Sequence, residues 1–209
     1  MGMWSDQVVP RLTDLSLSAD GISRLRVQAC AGLRGRVLEL GFGSGLNLPW
    51  LPPEVTALDA VDPSGVGWSR SARRRAACPV PVERLGLDGQ RLAAPDASYD
   101  AVLATFTLCT IPDPAAALAE VRRVLRPGGD FHFLEHGLAP EAGVVRWQQR
   151  LEPVQRRLAG GCHLTRDVPA LVREAGLEMV ALRAEYLPGP RVSHPWTYAY
   201  VGRARRPAA

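Results

Sequence analysis

The chain has 209 residues, of which 46% are hydrophobic and 22% charged, and it carries a net charge of +4. This length suits one α/β domain with a full core and leaves little room for a second. All of its basic residues are arginines, and no aromatic residues interleave with their densest run, so a nucleic-acid partner is not expected.

No segment of the sequence is suited to span a membrane. Asp6, Pro10 and Asp14 interrupt the first 17 residues, and no later stretch reaches the roughly 18 apolar residues that a span requires. The four cysteines form no C-x-x-C pair, so the sequence indicates neither a metal site nor a disulfide framework. We therefore expect a reduced, cytoplasmic protein without stable membrane insertion.

Two stretches with helical spacing, residues 5–15 and 18–33, precede the first predicted strand. Ser18 is suited to cap the second helix, whose apolar face consists of Ile22, Leu25, Ala29 and Leu33. A minimal nucleotide-binding fold does not need either helix. They are expected to cover the mouth of a ligand site or to pack against the edge of the sheet.

The first predicted strand, residues 35–40, runs directly into a turn with glycines at alternate positions. Because they have no Cβ atom, Gly41, Gly43 and Gly45 permit positive φ angles and let the backbone approach a ligand closely. The next residues are expected to start a short helix whose free N–H groups face an anionic part of that ligand. Leu46 occupies the place where nicotinamide-binding loops prefer Gly or Ala, which disfavours an oxidoreductase.

The second predicted strand, residues 55–61, ends at Asp62, Pro63 and Ser64. An acidic side chain at this point can accept hydrogen bonds from both hydroxyls of a ribose. Asp62 or Ser64 can also cap the following helix, which is predicted to include residues 70–77, and both roles can hold together.

A third strand is predicted for residues 80–87, and a fourth runs through residue 106. Asp88, directly after the third strand, lies where an adenine amino group can be bound. Residues 105–110 form the loop after the fourth strand. Thr105 is therefore expected at the same rim of the sheet as Gly43 and Asp62.

The second half of the chain continues the alternation of helices and strands. Asp113 and Pro114 begin a helix whose buried stripe is Leu118, Val121 and Leu125, and residues 126–129 end it. A fifth strand over residues 131–135 completes a pattern that predicts a parallel, doubly wound sheet. Helices over residues 144–158 and 167–175 follow, and then a predicted antiparallel hairpin with strands at 177–186 and 196–203.

Several of these segments together resemble a known family. The glycine turn preceded by Glu39, with residues 96–100 and 125–129, is similar to the type 11 group of class I S-adenosylmethionine-dependent methyltransferases. The runs at residues 107–112, 133–136, 147–149 and 161–166 resemble the thiol S-methyltransferases and their bacterial phospholipid N-methyltransferase-like relatives. The animal thiol enzymes have an N-terminal hydrophobic anchor, and residues 1–17 show no such pattern.

The resemblance implies a single α/β domain with a Rossmann-like, doubly wound, seven-stranded sheet that has one antiparallel strand. Residues 1–34 would form cap helices, 35–137 the cofactor-binding half, and 138–203 a helical lid and the C-terminal hairpin. The implied cofactor is S-adenosylmethionine. Its methionine part, ribose and adenine would contact Glu39, Gly41, Gly43, Gly45, Asp62, Pro63, Asp88, Gly89 and Thr105.

The acceptor is expected to be a small, mostly apolar molecule, preferably a thiol. A sulfonium methyl is already activated, so alignment matters more than acid–base catalysis. The residues that would orient or deprotonate the acceptor are His136 and His163, with Cys109, Trp147 and Cys162 as pocket walls. Either histidine can instead fix a loop by bonding backbone. A phospholipid amine or a quinol carbon stays open as the acceptor, as do a non-catalytic cofactor-binding module and a nicotinamide oxidoreductase.

Overall fold

The computed structural model describes residue 17 and residues 20–208. The helix predicted over residues 5–15 and the capping role of Ser18 lie outside the described residues. Within them, the strands are β1 (Gly35–Leu40), β2 (Val55–Val61), β3 (Val82–Gly86), β4 (Tyr99–Thr105), β5 (Leu125–His136), β6 (Glu178–Tyr186) and β7 (Tyr198–Arg205). The α-helices there are α1 (Asp20–Cys30), α2 (Gly65–Arg70), α3 (Ala72–Ala77), α4 (Pro114–Val124), α5 (Ala142–Leu158), α6 (Val168–Glu174) and α7 (His194–Thr197).

One seven-stranded sheet, in the order β3-β2-β1-β4-β5-β7-β6, organises the described part of the chain. Strands β1 to β5 pair in parallel, whereas β7 runs antiparallel to both of its neighbours. The predicted α/β sheet with one antiparallel strand is therefore confirmed. The chain adds β2 and β3 on one side of β1 and β4 on the other, so the order reverses between β1 and β4. Open α/β sheets bind ligands at such a switch point, beyond the carboxyl ends of the strands.

Side chains of the central strands alternate between two apolar layers. Leu38 and Leu40 of β1 pack with α4 on one face of the sheet, whereas Val37 packs with α1 on the other. The predicted face of α1, with Ile22, Leu25 and Ala29, is buried as expected. Because apolar layers cover both faces of the parallel strands, the sequences of these strands are continuous apolar runs.

Local capping signals set several helix starts. The Asp113 carboxylate accepts the Ala116 N–H at 3.0 Å, and Pro114 occupies the first turn of α4, as predicted. The Ser64 hydroxyl accepts the Gly67 N–H at 2.9 Å and caps α2. In both places, a side-chain oxygen satisfies one of the N–H groups that a helix start leaves unpaired.

Some predicted boundaries were wrong. Helix α4 ends at Val124, so Leu125 is buried as a strand residue and not as part of the helix stripe. Residues 126–129, which were predicted to end the helix, lie within β5, which was predicted to begin only at residue 131. The helix predicted to include residues 70–77 is divided at Ser71 into α2 and α3. Trp196 lies in α7 instead of beginning the last strand. Among the residues that the structure describes, no helix combines the length and apolar character needed to cross a bilayer.

Candidate active site

The carboxyl ends of β1, β2, β4 and β5 meet at one rim of the sheet, as parallel pairing requires. The loops that leave them include the glycine loop (residues 41–45), Asp62, residues 106–112 and His136. The structure thus brings together at this rim most of the residues singled out in the sequence.

The three glycines of the glycine loop all have positive φ, but they have different neighbours. A Cβ at Gly41 would collide with the Thr107 side chain, and one at Gly45 would press on Leu48 at 3.0 Å. A Cβ at Gly43 would meet only the Gly41 carbonyl oxygen, 4.0 Å away, among the described residues. Internal packing therefore explains Gly41 and Gly45, whereas Gly43 leaves open space beside the loop.

Asp62 connects the glycine loop to the start of α2. One carboxylate oxygen accepts the Gly43 N–H at 2.8 Å, and the other accepts the Ser64 N–H at 2.7 Å. Burial raises the pKa of Asp62, and these two hydrogen bonds oppose that effect. An ionised carboxylate offers about four acceptor positions, so it can accept further hydrogen bonds. Of the two candidates for the helix cap, Ser64 caps α2, whereas Asp62 holds the glycine loop.

Glu39 lies fully buried beneath the glycine loop. Its Oε1 accepts a hydrogen bond from Asn47 Nδ2 at 2.7 Å, whereas Oε2 has no hydrogen-bond partner within the described part of the chain. Burial raises the pKa of Glu39 to about 8, although Asn47 and Arg26 oppose the shift. A buried acceptor without a partner is costly, and a ligand donor at this position would satisfy it.

Thr105 belongs to the same hydrogen-bond network as Glu39 and Asn47. Its hydroxyl oxygen accepts hydrogen bonds from Arg26 Nη1 at 3.0 Å and from Asn47 Nδ2 at 2.9 Å, and the residue is buried. The structure thus places Thr105 behind the loop, although we expected it on the rim of the crevice. Arg26 and Asn47 had not been singled out, because their partners are distant in the sequence.

The segment after β3 is exposed at Asp88 and tightly packed at Gly89. The Asp88 carboxylate accepts the Gln90 N–H at 2.9 Å, and a Cβ at Gly89 would collide with Leu40 of β1. Leu40 immediately precedes the glycine loop. The segment therefore lies against the same end of the sheet, as the predicted adenine position requires.

A thiol–imidazole cluster, formed by Cys109, His136 and Cys162, lies on the β5 side of the rim. The Sγ atoms of both cysteines and a ring nitrogen of His136 all lie within 4.8 Å of one another. His136 Nε2 is 2.8 Å from Cys162 Sγ, so this ring atom contacts a side chain and not backbone. Burial lowers the pKa of His136, but the contact with Cys162 and the charge of Glu135 outweigh it, and the net shift is upward.

Two carboxylates, the buried Glu135 and the partly buried Glu152, hold the loops that carry the cluster. Glu135 accepts the N–H groups of Thr107, Leu108 and Cys109 at 2.7, 2.9 and 3.3 Å. Glu152 of α5 accepts the N–H groups of residues 164 and 165 at 3.1 and 2.9 Å. Neither carboxylate was identified from the sequence, because their partners are backbone groups of distant loops.

His163 and Trp147 do not join the cluster. His163 Nδ1 lies 3.0 Å from a Glu152 oxygen, so the ring holds the loop at residues 159–166 to α5. Trp147 is 55% exposed, and its ring lies beneath the Arg150 guanidinium on the same helix. A cleft of about 530 Å³ opens beside the cluster and is lined by Thr110, Pro112, Pro153, Arg156, Arg157, Gly161 and His163.

Known proteins are similar to the chain in the segments that form this site. The family described as a methyltransferase domain matches residues 38–133. The chain is 35% identical to thiol S-methyltransferase TMT1B of Rattus norvegicus, over 74% of this chain and 64% of that protein. It is 33% identical to thiol S-methyltransferase TMT1A of Homo sapiens, over 84% of this chain and 74% of that protein.

A bacterial relative is named for a different methyl acceptor. The phosphatidylethanolamine N-methyltransferase of Cereibacter sphaeroides is 29% identical, over 75% of this chain and 77% of that protein. The chain spans only 64% and 60% of the lengths of the rat and human TMT1B proteins.

Proposed function

Because the chain belongs to the class I S-adenosylmethionine-dependent methyltransferases, we propose that it transfers the methyl group of that cofactor to a small, mostly apolar thiol. The observation that carries the proposal is the arrangement of Glu39, Gly43 and Asp62 around one end of β1. A buried acceptor, open space beside a glycine and a carboxylate with spare acceptor positions occur there together.

These residues fit the chemical groups of the cofactor. Its methionine part carries an ammonium group, which matches the unpartnered Glu39 Oε2. Its ribose carries two hydroxyls, which match the remaining acceptor positions of Asp62 and the neighbouring Pro63 turn. The open side of Gly43 accommodates close approach. Gly41 and Gly45 would shape the loop, and Asp88 with Gly89 would flank the adenine.

When bound, S-adenosylmethionine would supply an activated methyl group on a sulfonium. The acceptor sulfur would form a new C–S bond to this methyl group as the sulfonium C–S bond breaks. The electron pair of the broken bond would leave with S-adenosylhomocysteine. The residues of the chain then have three tasks: to hold the donor, to orient the acceptor and to exclude water. Glu39, Gly43 and Asp62 serve the first task.

The residues near the acceptor favour a thiol. Cys109, His136 and Cys162 present one ring and two sulfur atoms, and a thiol acceptor loses its proton near its own pKa with little help from a base. His136 is suited to orient the acceptor and to receive that proton. Helix α5, the loop at residues 159–166 and α1 are suited to exclude water, with His163 holding the loop through Glu152.

A panel of acceptors tests the proposal. The purified protein is incubated with methyl-labelled S-adenosylmethionine and, separately, with alkyl thiols, phenols, phosphatidylethanolamine vesicles and a quinol. Labelled thioether from the thiols is the expected product. Methylation of the lipid amine alone, with every thiol inert, would replace the thiol proposal. Tighter calorimetric binding of NAD than of S-adenosylmethionine would favour the oxidoreductase alternative.

A further inference from the structure

The thiol–imidazole cluster contains the side-chain types that bind zinc in proteins. Cys109, His136 and Cys162 come from three segments: the loop after β4, the end of β5 and the loop after α5. Their two Sγ atoms and one ring nitrogen lie within 4.8 Å of one another. Both cysteines are buried, and His136 is partly buried.

We propose that these three side chains form a Zn²⁺ site whose open fourth position takes the thiolate of the acceptor. The second half of this statement rests on the proposed function, whereas the metal site itself does not. Catalytic zinc sites typically have three protein ligands and one exchangeable position, and Cys₂His is one of the known ligand sets.

The spacing of the three atoms suits a tetrahedral ion. Zn–S bonds of about 2.3 Å and Zn–N bonds of about 2.0 Å place the ligand atoms of a tetrahedral site roughly 3.5–3.8 Å apart. The observed separations lie within 4.8 Å, and the shortest is 2.8 Å between His136 Nε2 and Cys162 Sγ. Shifts of about an ångström, within reach of side-chain rotation, would therefore complete the site.

The loops that carry the ligands are held independently of any ion. The Cys109 N–H donates to Glu135 at 3.3 Å, and the Cys109 carbonyl accepts the His163 N–H at 2.8 Å. The second of these bonds joins the loop of Cys109 to the loop of Cys162. Outer hydrogen bonds of this kind fix ligand positions in metal sites.

Charges around the cluster are compatible with a divalent cation. Two thiolates neutralise Zn²⁺, and the remaining nearby charges, Glu135 and Arg166, have opposite signs. Arg166 interacts electrostatically with both cysteines and with Glu135, and its guanidinium donates to the Leu108 carbonyl next to Cys109. With the two cysteines alone, an ion at this position would be neutral; the acceptor thiolate would add one negative charge, and Arg166, which also interacts with Glu152, is the nearby positive group.

The cleft supplies a route to the open position. Its lining includes Thr110, Gly161 and His163, which are the chain neighbours of Cys109 and Cys162. In this proposal, the thiol enters along the cleft, which borders the cluster through these neighbouring residues. Zinc lowers the pKa of a coordinated thiol, so the acceptor would bind as a thiolate and release its proton to solvent. In the zinc-bound protein, His136 would serve as a metal ligand and would not receive that proton.

Metal content and cobalt spectra test the site directly. The full chain is loaded with Zn²⁺, dialysed and assayed by mass spectrometry of the metal, and a second sample is loaded with Co²⁺. We expect about one zinc ion per chain and the thiolate-to-cobalt charge-transfer bands of a tetrahedral site. Adding an alkyl thiol without the methyl donor should shift the visible cobalt bands, because the thiol occupies the fourth position.

Variants assign the ligands. Cys109→Ser, Cys162→Ser and His136→Gln should each lower zinc affinity by more than the roughly 10–100-fold that outer-shell changes cause. Cys78→Ser is the matched control, because Cys78 ends α3 and is not a member of the cluster. Retained binding of S-adenosylhomocysteine shows that a variant is folded.

The proposal is overturned if the wild-type chain takes up no more zinc than the Cys109→Ser/Cys162→Ser double variant, or if its cobalt spectrum lacks thiolate bands. A Cys109–Cys162 disulfide in the protein purified under reducing conditions would also overturn it. Thiol methylation by a zinc-free protein rejects the role of zinc in binding the acceptor and leaves the proposed function. Zinc binding without thiol methylation supports the zinc site and rejects the proposed function. The wild-type spectrum decides the question even if a variant fails to fold.

Discussion

The carboxylate of Asp62 accepts a hydrogen bond from the backbone N–H of Gly43, with 2.8 Å between Oδ2 and the amide nitrogen. This bond joins the carboxyl end of β2 to the middle of the glycine loop, so the loop and the acidic side chain form one unit. The methionine part and the ribose of the cofactor would lie on either side of it.

Removing the Asp62 carboxylate should weaken cofactor binding and leave the fold intact. For Asp62→Ala, the lost hydrogen bonds to a charged acceptor should cost about 1.5–3 kcal/mol of binding free energy. Calorimetric titration with S-adenosylhomocysteine measures this loss. Asp96→Ala is the control, since its carboxylate is exposed and pairs with Arg123. Unchanged affinity in a folded Asp62→Ala protein would remove Asp62 from the site.

Gly43 and Gly41 should respond differently to the same substitution. Gly43→Ala should lower the free energy of unfolding by only about 1–2 kcal/mol, the usual cost of a left-handed residue with a Cβ, while it weakens cofactor binding. Gly41→Ala should lose more stability, because its Cβ would also collide with Thr107. Urea unfolding and titration of both variants test this. Equal stability losses would contradict the open space assigned to Gly43.

Glu39 should make cofactor affinity depend on pH. Its pKa of about 8 means that an incoming ammonium group must first displace a proton. Affinity for S-adenosylhomocysteine should therefore fall as pH is lowered from about 7.5 to 6, where the ligand ammonium stays charged, by up to roughly tenfold per unit. Glu39→Gln should remove most of this dependence. A wild-type affinity that does not change over this range would contradict the role.

The same group should affect the stability of the ligand-free protein. The pKa of Glu39 is higher in the folded state, about 8, than in the unfolded chain, so folding takes up a proton between the two values. The contribution of Glu39 to stability is therefore fully present below about pH 4 and is lost as pH rises towards 8. Glu39→Gln should flatten this part of the curve of unfolding free energy against pH.

Glu135 should matter for stability more than an exposed carboxylate. Glu135→Ala leaves two buried N–H groups and one partly buried N–H group without their acceptor, and each unsatisfied buried donor costs about 1–3 kcal/mol. We expect a loss of more than about 3 kcal/mol in the free energy of unfolding. Glu54→Ala, at an exposed position, should change it by less than about 0.5 kcal/mol. A loss below about 1 kcal/mol for Glu135→Ala would show that the loop is not held by this side chain.

Local chemistry explains which features could be predicted from the sequence. The start of α4 at Asp113 and Pro114, the buried face of α1 and the glycine loop depend on residues close together in the chain. The boundary at Leu125 was wrong, because Leu125 pairs with Tyr99 of β4 and so begins β5 instead of ending the helix. Residues 128 and 129 exchange backbone hydrogen bonds with Arg206, which lies far away in the sequence.

The parts that were missed depend on contacts between distant segments. Arg26 meets Asn47 and Thr105 only because α1 packs over the carboxyl ends of β1 and β4. The residues of the thiol–imidazole cluster likewise come from three separate segments, so no local spacing of cysteines predicts the cluster. Hydrogen bonds that backbone N–H groups donate to Glu135 and Glu152 leave no pattern in the sequence.

The central claim is that the chain moves a methyl group from S-adenosylmethionine to a thiol. A single-turnover reaction tests it most directly: protein, one equivalent of methyl-labelled cofactor and an alkyl thiol are mixed, quenched and analysed by mass spectrometry. We expect labelled methyl thioether and S-adenosylhomocysteine in equal amounts, with little of either from Asp62→Ala. Bound, unreacted cofactor with no thioether, across the full set of thiols, would contradict the account.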